Sequence, residues 1–239
     1  MPAFRFKQVD AFTARPFFGN PVGVVLGGDG LATEEMLRIA RWTNLSETTF
    51  VLKPTVAPPA YRLRIFTPGH ELSFAGHPTI GSCHAVLEAG IVKPENGRLV
   101  QECGAGNLPL RIAGDGPARR IHVEAPEAKF VGEFPALART LSEALGCPIA
   151  ETPVPTAFRN GPGWLFVRLA TSADVTALDP DLLAIARLSR ELGISGVVPF
   201  AFVERGAFAV HIRCFAPAFG VHEDPVTGSA NAALPAHLA

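Results

Sequence analysis

The stretch Arg64-Ile65-Phe66-Thr67-Pro68 recurs as Arg213-Cys214-Phe215-Ala216-Pro217, an R-x-F-x-P pattern in each half of the chain. Each copy is followed by acidic residues, Glu71 in the first and Glu223-Asp224 in the second. Each then runs into small, helix-compatible residues: Ala75-Gly76-His77-Pro78-Thr79-Ile80-Gly81, and Pro225-Val226-Thr227-Gly228-Ser229-Ala230-Asn231. A pattern stated twice implies two related halves that face each other. A site between such halves receives groups from both sides, which suits chemistry needing an acid on one face and a base on the other.

Outward from the two copies, strand and helix signals alternate. Residues 4–9 and 22–26 read as strands, the second closed by Gly27-Gly28-Asp29-Gly30. Thr33 is placed to cap a helix that carries Glu34 and Glu35 in its first turn and ends near Asn44. Residues 48–52 and 61–66 read as strands, separated by Pro54, Pro58 and Pro59 as in a meander. Residues 77–87 hold so few charges that their helix is expected to be buried on nearly all sides. Strands at 99–102, 108–112 and 121–124 follow, then a helix near 137–145 and a Pro/Thr/Gly-rich loop over 151–163. A strand at 164–169, a helix over 180–192 capped by Asp179, and strands at 197–203 and 208–215 complete the pattern. The expected fold is α+β, in two halves over residues 1–115 and 116–239, each a curled, mostly antiparallel sheet around a central helix.

Composition narrows the function. Across 239 residues, Lys and Arg number 21 against 22 Asp and Glu, for a net charge of −1. No basic field exists to hold a phosphate backbone, so the partner is expected to be a small molecule and not a nucleic acid. The apolar fraction of 48% and a mean hydropathy of +0.24 fit a well-buried globule. The start is charged where a signal peptide would be apolar, and no apolar run is long enough to span a membrane. Cys83, Cys103, Cys147 and Cys214 are scattered, without a CxxC pair, and read as buried thiols in a reducing cytoplasm. No dinucleotide or Walker loop occurs, and no HExxH or similar cluster argues for a metal.

The candidate chemistry sits at the mouths of the two small-residue helices. Helix N-termini carry unpaired N–H groups and a partial positive charge, so Gly76 and Gly228-Ser229 are candidate anion holders. Plain N-capping by Thr79 and Ser229 is the structural alternative. Asp224, ahead of Pro225, either aims a carboxylate at the second mouth or closes an Asx turn. Glu47 is either an exposed glutamate or a proton carrier beside the apolar 50–52 strand. His77 is either a core histidine or a titrating partner.

The motifs Asp10-Ala11-Phe12, Gly19-Asn20-Pro21-Val22-Gly23-Val24, Asn44-Leu45-Ser46-Glu47-Thr48-Thr49-Phe50, Ala75-Gly76-His77-Pro78-Thr79 and Glu223-Asp224-Pro225-Val226-Thr227-Gly228-Ser229-Ala230 join the first R-x-F-x-P in a fixed order. In that order the chain resembles the PhzF family of phenazine-biosynthesis-like isomerases, which share the diaminopimelate epimerase fold. The resemblance implies two pseudo-symmetric halves with the active site in the cleft between them, no cofactor or metal, and a homodimer. It implies Glu47 as the proton-transferring carboxylate, His77 and Asp224 as further site residues, and Gly76, Gly228 and Ser229 as substrate holders. The family's phenazine enzyme isomerises trans-2,3-dihydro-3-hydroxyanthranilate by moving a proton between carbons, so a small carboxylate-bearing substrate is expected. Burial beside the 50–52 strand is expected to raise the Glu47 pKa.

Two departures from the resemblance follow. Epimerases of this fold place a cysteine at each helix mouth, where this chain has Ala75 and Thr227, so a two-thiol mechanism is not expected. The sequence stops at Ala239, where the family continues through further strands, and Pro235 is expected to kink the second central helix. Two alternatives to an isomerase remain: an amino- or imino-acid epimerase using Glu47 and Asp224 as a carboxylate pair, and a silent ligand-binding or regulatory protein on the same scaffold.

Overall fold

The computed structural model describes residues 3–55, 60–204 and 208–239. Met1, Pro2, Pro58 and Pro59, which entered the sequence reading, lie outside the described residues. The chain divides into two compact units, Met1–Glu124 and Ala125–Ala239.

The first unit runs β1 (Arg5–Ala11), β2 (Asn20–Leu26), α1 (Thr33–Thr43), β3 (Glu47–Leu52), β4 (Tyr61–Phe66), β5 (Glu71–Leu72), α2 (Gly76–Glu88), β6 (Arg98–Cys103), β7 (Gly106–Ala113) and β8 (Arg120–Val123). Its sheet has the order β1-β2-β3-β4-β6-β7-β8, with β5 paired to β4. Both end strands, β1 and β8, touch α2, as do β2, β3 and β4 between them. A sheet whose two edges meet the same helix is curled around it. The expected boundary at residue 115 falls between β7 and β8, which pair antiparallel within this unit.

Strand alternation decides which side each residue faces. Val22, Val24 and Leu26 of β2, Val51 of β3 and Ile65 of β4 pack towards α2 with Cys83, Ala85 and Val86. Their neighbours Val25, Phe50 and Phe66 pack on the other face with Met36 and Ala40 of α1. Helix α2 lies so close to the sheet that a Cβ at Gly81 would come within 2.4 Å of Val22 Cγ1. Only glycine fits there.

The second unit contains β9 (Lys129–Glu133), α3 (Ala138–Leu145), β10 (Thr156–Arg159), β11 (Gly163–Arg168), α4 (Ser172–Ala177), α5 (Leu182–Leu192), β12 (Gly196–Phe202), β13 (Val210–Ile212), β14 (Cys214–Ala216), β15 (Val221–Asp224) and α6 (Gly228–Leu238). Its sheet order is β15-β14-β12-β11-β10-β9, with β13 on β12. Phe158, Trp164, Phe166, Val198 and Phe200 face Ala230, Ala233 and Leu234 of α6. Leu165, Val167, Val197 and Ala201 face Leu141, Leu145, Ile185 and Leu188 of α3 and α5. Each unit is therefore a mixed α+β layer with one small-residue helix on one face.

The duplicated pattern has a physical meaning. Arg64 donates from Nε and Nη2 to the two carboxylate oxygens of Glu71, at 2.7 and 2.6 Å, and sits 5.1 Å from the Phe66 ring centroid. Arg213 makes the same fork with Glu223, at 2.7 and 2.7 Å, and sits 4.9 Å from the Phe215 ring. Residues two apart along extended chain share a face, so R-x-F stacks guanidinium over ring while the fork ties in the returning strand.

Several local expectations are corrected. Thr33 does not cap α1: Ala32 is the N-cap, its N–H donates to Glu35 Oε2 at 2.9 Å, and Thr33 Oγ1 accepts from Arg64. Asp181, not Asp179, caps α5, accepting from Leu183 and Ala184 N–H at 2.9 and 3.0 Å. The expected 151–163 loop contains β10, whose Pro-flanked residues are held by β9 and β11. The helical run of α6 continues through Pro235 to Leu238. No helix among the described residues is long and apolar enough to cross a membrane.

Candidate active site

Glu47 is the first residue of β3, paired in parallel with Val22 of β2. His77 is the second residue of α2. The packing of α2 against this sheet brings Glu47 Oε2 to 3.1 Å from His77 Nε2, with side chains 15% and 9% exposed. A buried hydroxyl pair, Thr49 Oγ1 and Ser82 Oγ at 2.8 Å, ties β3 to α2 next to this contact. Gln101 Nε2, which reaches Thr79 Oγ1 at 3.4 Å, does the same from β6. The helix therefore holds its register on the strand by polar contacts as well as by packing.

Burial pushes the Glu47 carboxyl up, but the hydrogen bond and charge of His77, with help from Ser46, outweigh it and hold the carboxyl below its ordinary value. This reverses the sequence expectation of a raised pKa. Opposite charge beside a carboxylate favours the ionised form more than partial burial disfavours it here. Glu47 is thus held as the ionised carboxylate.

Gly76 opens α2, and Ala75, at its N-cap, makes no side-chain cap bond. Thr79 does not cap the helix either; its N–H already joins the ladder by donating to Ala75 O at 3.2 Å. Pro78 has no N–H, so the first-turn donors that remain are those of Gly76 and His77. A Cβ at Gly76 would stand 3.9 Å from Phe12 Cζ, so an aromatic ring borders the mouth.

In the second unit Asp224 ends β15, and its Oδ1 accepts from Val226 N–H at 3.4 Å in an Asx turn. Thr227 is the N-cap of α6, followed by Gly228 and Ser229 in the first turn. Ser229 is not the cap; its Oγ accepts from Trp164 Nε1 at 2.9 Å, and its carbonyl accepts from Asn160 Nδ2 at 2.8 Å. The structure thus joins Glu47, His77 and Gly76 in one unit and Asp224, Gly228 and Ser229 in the other.

Ala75 and Thr227 stand at the two N-caps, and no cysteine does. Cys214 lies near the second mouth, but burial, opposed by a Thr227 hydrogen bond and aided by the Asp224 and Glu223 charges, pushes its pKa to about 12. Such a thiol does not ionise near neutrality and is no acid–base group.

Sequence reasoning quoted Ser46 and Thr49 within a motif without assigning them contacts, and gave no contact role to Ser82, Asn160 or Trp164. The available signal was slight: a Trp in an otherwise apolar strand needs a partner for its N–H.

Comparison with known proteins gives the family. Residues 9–239 match the model of the phenazine biosynthesis-like protein family, PhzC-PhzF, so the chain belongs to that family. It is 41% identical to "Antisense-enhancing sequence 1" of Schizosaccharomyces pombe, over all of this chain and 81% of that protein. It is 37% identical to the trans-2,3-dihydro-3-hydroxyanthranilate isomerase of Pseudomonas aeruginosa, over 98% of this chain and 80% of that one. The crystal structure of a PhzF-family phenazine biosynthesis protein from Bacillus anthracis superposes with a TM-score of 0.89 at 28% identity, covering 99% of this chain and 80% of that one. The relatives support an isomerase on the epimerase-like fold.

Proposed function

We propose that the protein is a cofactor-independent isomerase that moves a proton within a small carboxylate-bearing substrate, with Glu47 as the carrier. The observation that carries this reading is the largely buried Glu47–His77 pair at the mouth of α2, 3.1 Å apart, with the carboxyl held ionised. The carboxylate takes a proton from one substrate carbon, leaving a delocalised anion. Glu47, now a carboxylic acid whose hydrogen exchanges with solvent, delivers a proton to another carbon of the same system, so the double bond shifts and the composition is unchanged. His77 holds Glu47 in position and answers its charge. The first-turn N–H groups of Gly76 and His77 at the mouth of α2 hold the substrate's developing negative charge. The relative named for dihydro-hydroxyanthranilate isomerisation supports trans-2,3-dihydro-3-hydroxyanthranilate as the first substrate to try. The protein acts as a homodimer, which size-exclusion chromatography tests directly.

The test is mass-spectrometric. In D2O, turnover of that compound should place solvent deuterium in the product, and Glu47→Gln should slow turnover by about 10²–10⁴-fold. Undiminished turnover in Glu47→Gln would remove Glu47 from the mechanism. Inversion of a stereocentre without double-bond movement would favour the epimerase instead. Binding without any proton exchange would favour a silent binding protein.

A further inference from the structure

Phe12 leaves β1 directly behind Ala11, which pairs with Asn20 of β2. Two residues further along β2, Val22 pairs with Glu47. The ring and the carboxylate therefore belong to one end of the sheet, the end at which His77 of α2 meets Glu47. A Cβ at Gly76 would stand 3.9 Å from Phe12 Cζ, so the ring borders the first residue of α2. Phe50 and Phe66 are sealed in the core, but Phe12 is 44% exposed and keeps part of its ring free.

The Phe12 backbone sits at φ 65°, a left-handed conformation in which a bulky residue is an outlier. Phe17, at φ 70°, repeats it within the same connection from β1 to β2. That connection is firmly closed. Asp10 Oδ2 accepts from Phe17 N–H at 2.7 Å, Thr13 Oγ1 accepts from Arg15 N–H at 2.9 Å, and a Cβ at Gly19 would come within 2.1 Å of Ala11 O. Stability does not explain a large ring in this conformation, since asparagine or glycine fits it better. Strain enforced by the surroundings at the rim of a site points to a use for the side chain there.

We propose that Phe12 is a specificity-determining residue: its ring packs on the flat, unsaturated skeleton of a substrate whose negative charge rests on the Gly76 and His77 N–H groups. An aromatic face gains more from a flat π-system than from a short aliphatic chain. Phe12 thus selects conjugated, ring-bearing acids over small aliphatic ones and takes no part in proton transfer. This rests on the reading of the α2 mouth as the substrate site.

Benzoate and acetate carry the same charged group, one with a flat ring and one without, so the repulsion each meets from Glu47 cancels between them. In ¹⁵N-correlated NMR titrations both should move the Gly76 and His77 amides, with benzoate binding at least about tenfold tighter. Phe12→Asn should weaken benzoate about tenfold and leave acetate unchanged. Its melting temperature should equal or exceed the parent's, because asparagine accepts the left-handed backbone. Phe12→Tyr, which restores a ring, should keep the preference. Phe12→Gly, equally suited to this backbone, repeats the test should Phe12→Asn fail to fold. Benzoate no tighter than acetate in the parent, a preference that survives loss of the ring, or acetate weakened as much as benzoate would each overturn the proposal. A melting temperature lowered in both ring-less variants would do the same, by making Phe12 a packing residue. Absence of deuterium transfer with these titrations as expected would sink the isomerase reading and leave the role of Phe12 standing.

Discussion

At the scale of single residues, Glu47 shows how two opposing terms are resolved. Desolvation is the largest influence on it, and it acts upward; the contact with His77 works downward by both hydrogen bond and charge, and prevails. A carboxyl whose folded pKa lies below its unfolded value of 4.5 contributes stability that is present above pH 4.5 and lost as pH falls through the folded value. Glu47→Gln has no such group, so its stability should fall less steeply below pH 4.5 than that of the parent. Urea unfolding at a series of acid pH values measures both slopes, and parallel curves would show that the His77 contact does not hold the carboxyl down. The Asn44–Thr49 motif singled out Glu47 through the family resemblance. The direction of the shift was not legible, because it depends on a histidine thirty positions further along, met only when α2 packs on β3.

At the scale of elements, α2 depends on close approach. A methyl group at position 81 would overlap Val22 Cγ1, which belongs to a strand buried on both faces and has little room to retreat. Gly81→Ala should therefore destabilise by about 1–3 kcal/mol, even though alanine is the better helix former. For a protein of this size that lowers the melting temperature by roughly 2–4 °C per kcal/mol. Adding Val22→Ala should recover part of the loss, since it removes the opposing methyl groups. Calorimetry of the single and double variants checks this, and a double variant worse than the sum would place the clash elsewhere. The elements themselves were largely readable from period-2 and small-residue patterns. The caps slipped by one or two residues: Asp181 stands two positions from Asp179 and takes the cap of α5, while Thr33 accepts from Arg64 and leaves Ala32 at the N-cap of α1. Strand β10 was hidden by prolines and glycines that proved to flank it.

At the scale of the whole molecule, the repeat was legible because one stacking and pairing arrangement, arginine over phenylalanine and forked to glutamate, is built twice. The chemistry around each small-residue helix is not repeated. One mouth carries the Glu47–His77 pair, while the other carries Ser229 held by Trp164 and Asn160; contacts spanning 65 and 69 positions leave no local trace in the sequence. Both units do share one liability, a weak acid sealed in the core. Burial pushes Cys83 in the first unit up to about 12, against the pull of Tyr61 and Arg119, and it pushes Cys214 in the second unit equally far. Burial also raises Tyr61 well above its usual value. In each case the unfolded chain gives up its proton first. The stability these groups contribute is therefore complete below pH 9, the ordinary thiol value, and drains away as pH climbs towards 12. The loss amounts to roughly a few kcal/mol per thiol at the upper end. Cys214→Ala removes one such proton, so its stability, whatever its value at pH 8, should fall less between pH 8 and 10.5 than the parent's. Lysines and exposed groups titrate alike in both proteins and cancel in the comparison. Equal losses would mean that the Cys214 thiol reaches solvent in the native state, and iodoacetamide labelling of the folded parent at pH 8 would then modify it.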